Sequence, residues 1–331
     1  MKRGVAVLAG VVAGLLLAGT AEARKAPPPP GDWWTGYLEG SRLVKLPDGR
    51  KINLYCEGHG APLVVLDSGL GDGASSWRMV QDQIAARTRV CAYDRAGYGR
   101  STPGPEPRDS RALAADLAAT LQAAREPGPY ILVGHSLASF NLRLFAFEHR
   151  GQVAGMVLVD PSADRQFDRM TAVVPRVPDI LKAADVGLPL CAQSPRPSRL
   201  EKVCVRSAPA DAPPEAADLY AQAQGPDYYR TQLSEQIAFE KTDSKELMAA
   251  RRSLGTMPLV ILTAGANTMP GLSADETAAI RKVWTTMHEE MAELSRRGVD
   301  RVVPDVTHYI HQQRPDIVLN AVFEVLDATR R

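Results

Sequence analysis

Short, continuous apolar segments recur along this chain, and they restrict its fold more than any other feature of the sequence. They are "PLVVLDSG" at 62–69, "RVCAYD" at 89–94, "YILVG" at 130–134, "VAGMVLVD" at 153–160 and "MPLVILTAG" at 257–265. Continuous rather than alternating apolar residues are typical of strands buried on both faces of a parallel sheet. The pattern predicts an α/β fold with a mainly parallel sheet of about eight strands, flanked by helices.

Helical patterns lie between most of these segments. Residues 110–124 place Leu113, Leu117 and Leu121 on one helical face, with Ser110 as the expected N-cap. A hairpin around "PDGR" precedes the first buried strand, and "RVVPD" is expected to form a short last strand. The other predicted helices are 76–86, 137–149, 273–297 and 314–329.

Residues 161–256 interrupt the alternation of strands and helices. This segment is rich in Pro, Asp, Arg and Ala and has helical patterns near 214–224 and 228–252. It is too long for a simple crossover between two strands. We therefore expect a helical cap, inserted after the sixth strand and lying over the carboxyl edge of the sheet, where open α/β sheets bind ligands. The remaining core is predicted to comprise residues 39–160 and 257–331.

The N-terminus has the pattern of a secretory signal peptide. Lys2 and Arg3 are basic, residues 4–19 are apolar, and "AEA" at 21–23 matches a small-residue cleavage site. The apolar stretch is shorter than the roughly 20 residues of a spanning helix, so a signal peptide is favoured over a membrane anchor. We expect cleavage after Ala23, export to the periplasm or the medium, and a Pro-rich leader at 24–38.

Charge gives little support for a polyanionic partner. The sequence has 39 Lys and Arg against 38 Asp and Glu, a formal net charge of +1, and no basic block stands out. We therefore expect no nucleic acid partner and no stable membrane insertion after signal cleavage. The sequence does not indicate an oligomeric state.

Four cysteines are present, and an even number favours disulfides in an exported protein. Cys56 and Cys91 lie in strand-like segments, whereas Cys191 and Cys204 share one Pro-rich region. Of the three possible pairings we favour Cys56–Cys91 with Cys191–Cys204. Four free buried thiols are the alternative. Zinc is less favoured, because no C-x-x-C or clustered Cys/His spacing occurs.

A serine occupies the turn between a buried strand and a helix. In "YILVGHSLASF" the strand ends at Gly134, and a helical pattern begins after Ser136. Gly134 and Ala138, two residues either side, are small enough for a very sharp turn. Such a turn raises a nucleophile above the sheet edge, beside the partial positive charge of a helix N-terminus. We predict that Ser136 is a nucleophile; an ordinary turn with a capping serine is the alternative.

A serine nucleophile needs a base and a group that orients the base. His308 lies in "VVPDVTHYIHQQRP", in the loop after the last strand, which opens at the same sheet edge. It is the predicted base, with His311 as the alternative. Asp160 directly ends a strand at this edge and is the predicted acid. Asp275 is the alternative acid, the first acidic residue after "PLVILTAG".

Acyl transfer also requires donors for the developing oxyanion. The backbone N–H of Leu137, directly after the serine, is one candidate. The loop "DSGLGDG" at 67–73 is the other source, because its glycines let the backbone turn an N–H inward. Leu70 is the predicted second donor, and a glycine-rich loop without a ligand is the alternative.

The motifs resemble those of the α/β-hydrolase superfamily, within its esterase/lipase-like group. The resemblance covers about residues 40–160 and 257–330 and does not extend to the cap. It rests on five motifs in the family's order: "VVLDSGLGDGASSW", "RVCAYDRAGYGRS", "YILVGHSLASFNLRLFAFEH", "VAGMVLVDPS" and "VVPDVTHYIHQQRP".

The resemblance implies Ser136 as nucleophile, His308 as base, and Leu70 and Leu137 as amide donors. Asp160 matches the family's alternative acid position, after the sixth strand. Ala138 departs from the usual glycine, and the acid after the seventh strand is missing. The motif "YDRAGYGRS" is expected to build the floor of the site through a structural Asp94–Arg95 network.

The function these residues favour is that of an exported, carboxylesterase-like serine hydrolase (EC 3.1). It would cleave a small-molecule ester or related acyl bond through an acyl-enzyme. Serine rather than aspartate at the turn argues against epoxide and haloalkane hydrolysis. A non-catalytic binding protein and a peptidase or amidase of the same fold are the alternatives. No motif implies a metal or an organic cofactor.

The cap offers several aromatic side chains. They suit an apolar or aromatic part of a substrate, and they suit packing of the cap on the core equally well. The residues are Phe167, Tyr220, Tyr228, Tyr229 and Phe239.

Overall fold

A computed structural model describes residues 32–184, 187–193, 204 and 206–330. The predicted signal peptide and residues 24–31 of the predicted leader lie outside the described residues. Among the helices that the structure describes, none combines the length and apolar character needed to cross a membrane.

One sheet of eight strands forms the centre of the protein. In chain order the strands are β1 (Arg42–Lys45), β2 (Lys51–Glu57), β3 (Leu63–Asp67), β4 (Val90–Tyr93), β5 (Tyr130–His135), β6 (Val153–Val159), β7 (Leu259–Ala264) and β8 (Gly298–Val303). Their order in the sheet is β1-β2-β4-β3-β5-β6-β7-β8. The pairings of β1 with β2 and of β2 with β4 are antiparallel, and the others are parallel. The predicted α/β fold is confirmed.

Helices cover both faces of this sheet. In chain order they are α1 (Trp33–Gly40), α2 (Gln81–Ala85), α3 (Ser110–Ala124), α4 (Ala138–Glu148), α5 (Gln166–Val173), α6 (Val177–Ala184), α7 (Gly187–Gln193), α8 (Pro214–Ala223), α9 (Pro226–Lys241), α10 (Asp243–Ala250), α11 (Ala274–Ala292), α12 (Ile310–Gln313) and α13 (Pro315–Thr329). Short 3₁₀ helices lie at Ala74–Trp77 and Arg150–Gln152.

The central strands are buried on both faces, as their continuous apolar sequences predict. In β3, Leu63 and Val65 pack into one apolar cluster, and Val64 and Leu66 pack into a second cluster on the opposite face. All four are almost completely buried. Each such side chain contributes about 1.5–3 kcal/mol by leaving water. Burial on both faces therefore explains why these strands do not alternate between apolar and polar residues.

The predicted leader at 24–38 is wrong for its last residues, because α1 begins at Trp33. Asp32 caps this helix by accepting a hydrogen bond from the N–H of Thr35. Trp33, Trp34 and Tyr37 are buried in the second cluster. The proline content upstream of this segment suggested an extended leader, but three large aromatic side chains bury enough surface to dock it on the core.

Some predicted helix boundaries also differ from the structure. Asp109, not Ser110, caps α3, since the Asp109 carboxylate accepts the N–H of Ala112 at 2.9 Å. Ser110 is the first helical residue. The predicted helix at 76–86 is a 3₁₀ turn followed by the short α2, and the helix predicted at 273–297 ends at Ala292. An N-cap carboxylate accepts a hydrogen bond from a free N–H two or three residues further along the chain. Asp109 takes this role, so the N-cap lies one residue before the predicted one.

Helices α5 to α10 all lie between β6 and β7 and form the predicted cap. Phe239 of α9 packs on Phe140 of α4, with ring centroids 5.7 Å apart, and on Phe167 of α5 at 5.0 Å. These two cap aromatics thus fasten the cap to the core. Tyr220 and Tyr228 instead face a cleft described below.

Both predicted disulfide pairings are present. Cys56 and Cys91 lie opposite each other in β2 and β4, with Cα atoms 4.1 Å apart. Cys191 and Cys204, with Cα atoms 5.7 Å apart, join α7 to the segment before α8. Among the described residues, the group of three that could hold a metal comprises Cys56, Cys91 and Glu126. Its two sulfurs form the first disulfide and are not available as thiolate ligands.

Candidate active site

Ser136 lies at a strained turn between β5 and α4. Its φ of 54° is in the left-handed region, which residues with a Cβ seldom adopt. A Cβ at Gly134 would lie 2.5 Å from Leu142 Cδ1 and 3.4 Å from the Cβ of Ala138. Gly134 must therefore lack a side chain, while Ala138 is accommodated. The structure has the sharp strand–turn–helix geometry that the small residues predict.

The backbone around Ser136 is held by neighbouring elements. Its N–H donates to the carbonyl of Val159 at 3.1 Å, and its carbonyl accepts the N–H groups of Ser139 and Ser162 at 3.1 and 3.0 Å. Ser136 is 3% exposed. The turn therefore forms part of the sheet edge, and its strain is sustained by fixed hydrogen bonds.

Asp160 and His308 are brought together, although 148 residues separate them in sequence. Nδ1 of His308 lies 2.6 Å from Oδ2 of Asp160, and both side chains are almost completely buried. Asp160 follows β6 directly, and His308 lies in the loop between β8 and α12. Both predictions that placed these residues at one sheet edge agree with this arrangement.

Three further donors surround the Asp160 carboxylate. Oδ1 accepts the Nε1–H of Trp284 at 2.8 Å and the backbone N–H of Ala264 at 3.0 Å. Oδ2 accepts the Nδ2–H of Asn267 at 2.7 Å. Burial by itself raises the pKa of Asp160, but the hydrogen bond and charge of His308, followed by His288 and Trp284, bring it below its usual value. Asp160 is thus held as an ionised acceptor.

Ionised Asp160 determines the tautomer of His308. A carboxylate only accepts hydrogen bonds, so Nδ1 of His308 carries the proton and Nε2 has a free lone pair. Nε2 is buried and has no hydrogen-bond partner among the described residues. Ser136 and His308 are not joined by a hydrogen bond in this arrangement. Catalytic hydrogen bonds are often long without substrate, and an unsatisfied basic nitrogen is the state that a general base requires.

His135 contributes more than the sequence suggests. It is not among the predicted site residues, yet its ring centroid lies 4.5 Å from that of His308. Its Nε2 lies 3.0 Å from the carbonyl oxygen of His308. Burial, reinforced by neighbouring His308 and His311, lowers the pKa of His135 well below its usual value. Neutral His135 therefore joins the nucleophile's turn to the histidine loop.

The two alternative site residues lie elsewhere. Nε2 of His311 is 2.8 Å from Oγ of Ser76, so this imidazole is engaged with a different hydroxyl. Asp275 is exposed in the first turn of α11. Neither residue forms the hydrogen bond that Asp160 makes with His308.

The glycine-rich loop at 67–73 closely approaches Ser136. A Cβ at Gly69 would lie 3.2 Å from Cβ of Ser136 and 2.9 Å from Nδ1 of His135. Leu70, the predicted donor, and Leu137 are both buried at this point. The backbone of the loop can therefore face the nucleophile without an intervening side chain.

Asp94 and Arg95 do not form the network expected from the sequence. Asp94 accepts hydrogen bonds from the hydroxyl of Tyr37 at 2.8 Å and from Nδ2 of Asn53 at 2.9 Å. Arg95 instead pairs with Asp67 and with Glu235 of α9. Adjacent residues at a strand end point to opposite faces, so the two charges meet different partners.

Several residues around the site were not identified from sequence. Trp284 lies on a helix more than 100 residues from Asp160, and no local pattern marks it. Asn267 lies in the loop after β7, where the family resemblance leads one to expect an acid rather than an amide. Arg95 was expected only in a structural role with Asp94, although it is a charged residue two positions after a buried strand.

A cleft lies between the cap and the core beside the glycine-rich loop. Its lining includes Gly71 and Gly73 of the loop, five aromatic side chains, and smaller aliphatic and polar residues. The aromatic members are Trp34, Tyr37, Tyr98, Tyr220 and Tyr228. The volume of this cleft is about 40 Å³, and neither Ser136 nor His308 lines it. The cleft therefore has room for a small apolar group beside the loop.

Two proteins have sequences that are similar to parts of this chain. YqjL of Bacillus subtilis (strain 168), described as uncharacterized, is 23% identical over 269 residues, 81% of this chain and 85% of YqjL. A (lyso)-N-acylphosphatidylethanolamine lipase of Mus musculus is 30% identical over 127 residues. That alignment spans 37% of this chain and 37% of the lipase, so it concerns only part of either protein.

A solved structure and the sequence pattern of a family both match this chain, and both indicate the fold described above. Epoxide hydrolase CorEH, solved without ligand, superposes with a TM-score of 0.63 at 16% identity, covering 87% of this chain and 98% of that chain. The sequence pattern of the alpha/beta hydrolase family matches residues 63–321. Since this match covers most of the sequence, the chain belongs to the alpha/beta hydrolase family.

Proposed function

We propose that this protein is a serine hydrolase that cleaves a carboxylic ester or a related acyl bond. The observation that carries the proposal is the buried pair of Asp160 and His308, in which Oδ2 and Nδ1 lie 2.6 Å apart. The other ring nitrogen of His308, Nε2, has no hydrogen-bond partner among the described residues, and its ring packs against His135 in the turn of Ser136. Hydrolytic chemistry agrees with membership of the family. Serine as the nucleophile, the acyl-enzyme and export are parts of the proposal.

In the proposed reaction, His308 Nε2 takes the proton from Ser136 Oγ as the oxygen attacks the acyl carbon. Ionised Asp160 stabilises the imidazolium that forms. The N–H groups of Leu70 and Leu137 donate to the oxyanion, aided by the N-terminus of α4. The imidazolium then protonates the leaving alcohol. Water, deprotonated by the same imidazole, attacks the acyl-enzyme and releases the acid and Ser136.

The cleft beside the glycine-rich loop supports a substrate with a small apolar group. The mouse relative is named as a lipase, and the apolar part of the cleft lining is compatible with an ester that has such a group. Serine at residue 136 does not favour the chemistry named for the structural neighbour CorEH, since epoxide hydrolases of this fold use a carboxylate nucleophile. The two disulfides support an exported protein.

The test is labelling with a fluorophosphonate probe and turnover of a short-chain p-nitrophenyl ester. Wild type should label and turn over ester, and Ser136→Ala should abolish both, lowering turnover at least about 10⁴-fold. Alanine keeps the Cβ, so it adds no new conformational demand at this φ. Ser139→Ala is the matched control: this serine is buried three residues further on and hydrogen-bonds the carbonyl of Ser162.

Folded wild type that neither labels nor turns over ester would contradict the proposal and favour a non-catalytic binding protein. Comparing an ester with the anilide of the same acyl group separates esterase from amidase or peptidase activity. A higher kcat/KM for the anilide would overturn the ester preference while leaving the serine mechanism in place.

A further inference from the structure

We propose that Glu235 of the cap, acting through Arg95, positions the peptide group between Gly69 and Leu70 for oxyanion stabilisation. The cap is then a support of the catalytic machinery as well as a cover. This inference rests on the proposed function, because it assigns positioning residues to the proposed oxyanion hole.

Arg95 holds the backbone of the glycine-rich loop directly. Its NH2 group donates to the carbonyl of Gly69 at 2.8 Å, and its NH1 group donates to the carbonyl of Ser68. NH1 also donates to Oδ1 of Asp67 at 3.0 Å. Only 2% of the Arg95 side chain is exposed. Three consecutive residues of the loop are therefore fixed by one guanidinium.

The Gly69 carbonyl determines where the N–H of Leu70 points. In a trans peptide the C=O and the following N–H point in opposite directions from one rigid plane. Since the Gly69 carbonyl faces Arg95, the N–H of Leu70 faces away from Arg95. The same Gly69 lies against Ser136, where its missing side chain leaves the backbone in close approach. Arg95 thus sets the orientation of the donor that the mechanism requires.

Glu235 sets the orientation of Arg95. Its Oε1 accepts from Nε of Arg95 at 3.0 Å, and its Oε2 accepts from NH2 at 2.9 Å. Two parallel hydrogen bonds fix the plane of a guanidinium far better than one contact does. The hydroxyl of Tyr98 donates to Oε2 at 2.8 Å and holds the carboxylate in turn. Glu235 is completely buried, so water does not replace this arrangement when it is broken.

A second set of cap contacts holds the loop beyond Leu70. The hydroxyl of Tyr228 donates to the carbonyl of Gly71 at 2.8 Å, and NH1 of Arg206 donates to the same oxygen at 3.2 Å. Arg206 also pairs with Asp72 at 3.2 Å. Leu70 therefore lies between two backbone carbonyls that are both anchored, directly or through Arg95, to the cap.

The experiment compares Arg95→Lys and Glu235→Gln with wild type and with Asp243→Asn. Lysine keeps the positive charge, but the three N–H donors on its single nitrogen cannot replace the five hydrogen bonds of Arg95 or its bidentate pairing with Glu235. Glutamine replaces one acceptor of the bidentate pair by a donor. Asp243 is a matched control, because this buried cap carboxylate accepts the N–H of Ser110 at 2.8 Å and touches neither the loop nor Arg95.

The readouts are kcat, KM and the Ki of a trifluoromethyl ketone, whose hemiketal places an oxyanion in the hole. We expect kcat to fall about 100-fold in Arg95→Lys and about 10-fold in Glu235→Gln, since losing one oxyanion donor costs 10²- to 10³-fold. KM should change less than about 3-fold, and Ki should rise in proportion to the loss of kcat, because both report the oxyanion. Asp243→Asn should leave all three near wild type.

Three results would overturn the inference. One is folded Arg95→Lys with kcat within about 3-fold of wild type. Another is loss of kcat with an unchanged Ki. The third is an equal loss in Asp243→Asn, which would indicate general loosening of the cap. If Arg95→Lys does not fold, Glu235→Gln decides alone by the same criteria.

Wild-type labelling separates failure of the inference from failure of the function. If wild type labels at Ser136 and only the Arg95 and Glu235 predictions fail, the serine mechanism stands. If folded wild type does not label, the inference falls with the function on which it rests.

Discussion

The two halves of the candidate site are built by different parts of the molecule. Among the residues that the structure describes, the groups that hydrogen-bond Asp160 besides His308 belong to core elements: β7, the loop after it and α11. The glycine-rich loop at 67–73 is held by the core through Arg95 and by the cap through Glu235, Arg206 and Tyr228. In the proposed mechanism, proton transfer thus depends on the core, and oxyanion stabilisation depends on the cap as well.

Backbone character explains the difference. Asp160 extends a strand paired on both sides, where its position follows from the sheet. The loop has glycines at 69, 71 and 73. Glycine can adopt more backbone conformations than other residues, so ordering this loop costs more conformational entropy. Contacts from the cap restrict it. In the proposed site, the core thus supplies the reactive side chains, while the inserted cap fixes the conformation of the flexible loop that carries an oxyanion donor.

The largest effect should come from breaking the core half. Asp160→Asn should lower kcat about 10⁴-fold, because an amide can donate to His308 Nδ1 and favour the wrong tautomer. Circular dichroism should show an intact fold, and steady-state turnover measures the loss. Asp275→Asn, at the exposed alternative position, should retain wild-type kcat. If Asp275→Asn shows the large loss and Asp160→Asn does not, the acid is misassigned.

Next, removing each disulfide should affect the two halves differently. Replacing Cys191 and Cys204 by serine frees the segment that leads to Arg206, so kcat should fall about 5-fold through the oxyanion donor. Replacing Cys56 and Cys91 should instead lower the free energy of unfolding by about 3 kcal/mol, with kcat unchanged. Turnover and denaturant unfolding measure the two quantities. The division between core and cap would be contradicted if replacing Cys56 and Cys91 lowered kcat, or if replacing Cys191 and Cys204 left kcat unchanged.

The smallest effect is on the pH dependence of stability, and it concerns the core of the protein rather than the cap. All six histidines lie outside the cap at 161–256. Burial, with repulsion from His308 and Arg78, lowers the pKa of His311 to about 3, against about 6.5 in the unfolded chain. The unfolded state therefore binds the proton first as the pH falls. The stability contributed by neutral His311 is complete above about pH 6.5 and is lost as the pH falls towards 3.

His311→Gln lacks this titration and should be less stable than wild type at pH 7. Its stability deficit should shrink by about 2 kcal/mol between pH 7 and pH 5, because wild type loses about 1.4 kcal/mol per pH unit below 6.5 at this group. Urea unfolding at several pH values measures the difference, and titrations common to both proteins cancel. A constant difference between pH 7 and pH 5 would show that His311 is not held neutral.

Much of the fold could be predicted because its signals are local. A run of apolar residues marks each buried strand, and spacing of three and four marks α3. The turn of Ser136 was predictable for the same reason: its steric requirement falls on residues two positions either side. The N-terminal helix α1 was not predicted, because the prolines before it indicate an extended segment. Its aromatic side chains dock it on the core, and that contact is not visible in the local sequence.

The sequence by itself determined the strands, the sharp turn and the identities of Ser136, Asp160 and His308 as candidates, since each depends on residues close by in the chain. Only the tertiary structure decided which groups support them. Trp284 meets Asp160 across 124 residues, and Glu235 meets Arg95 across 140. No local period or turn encodes such pairs, because they exist only where packing of the cap and α11 on the sheet brings distant side chains within hydrogen-bonding distance.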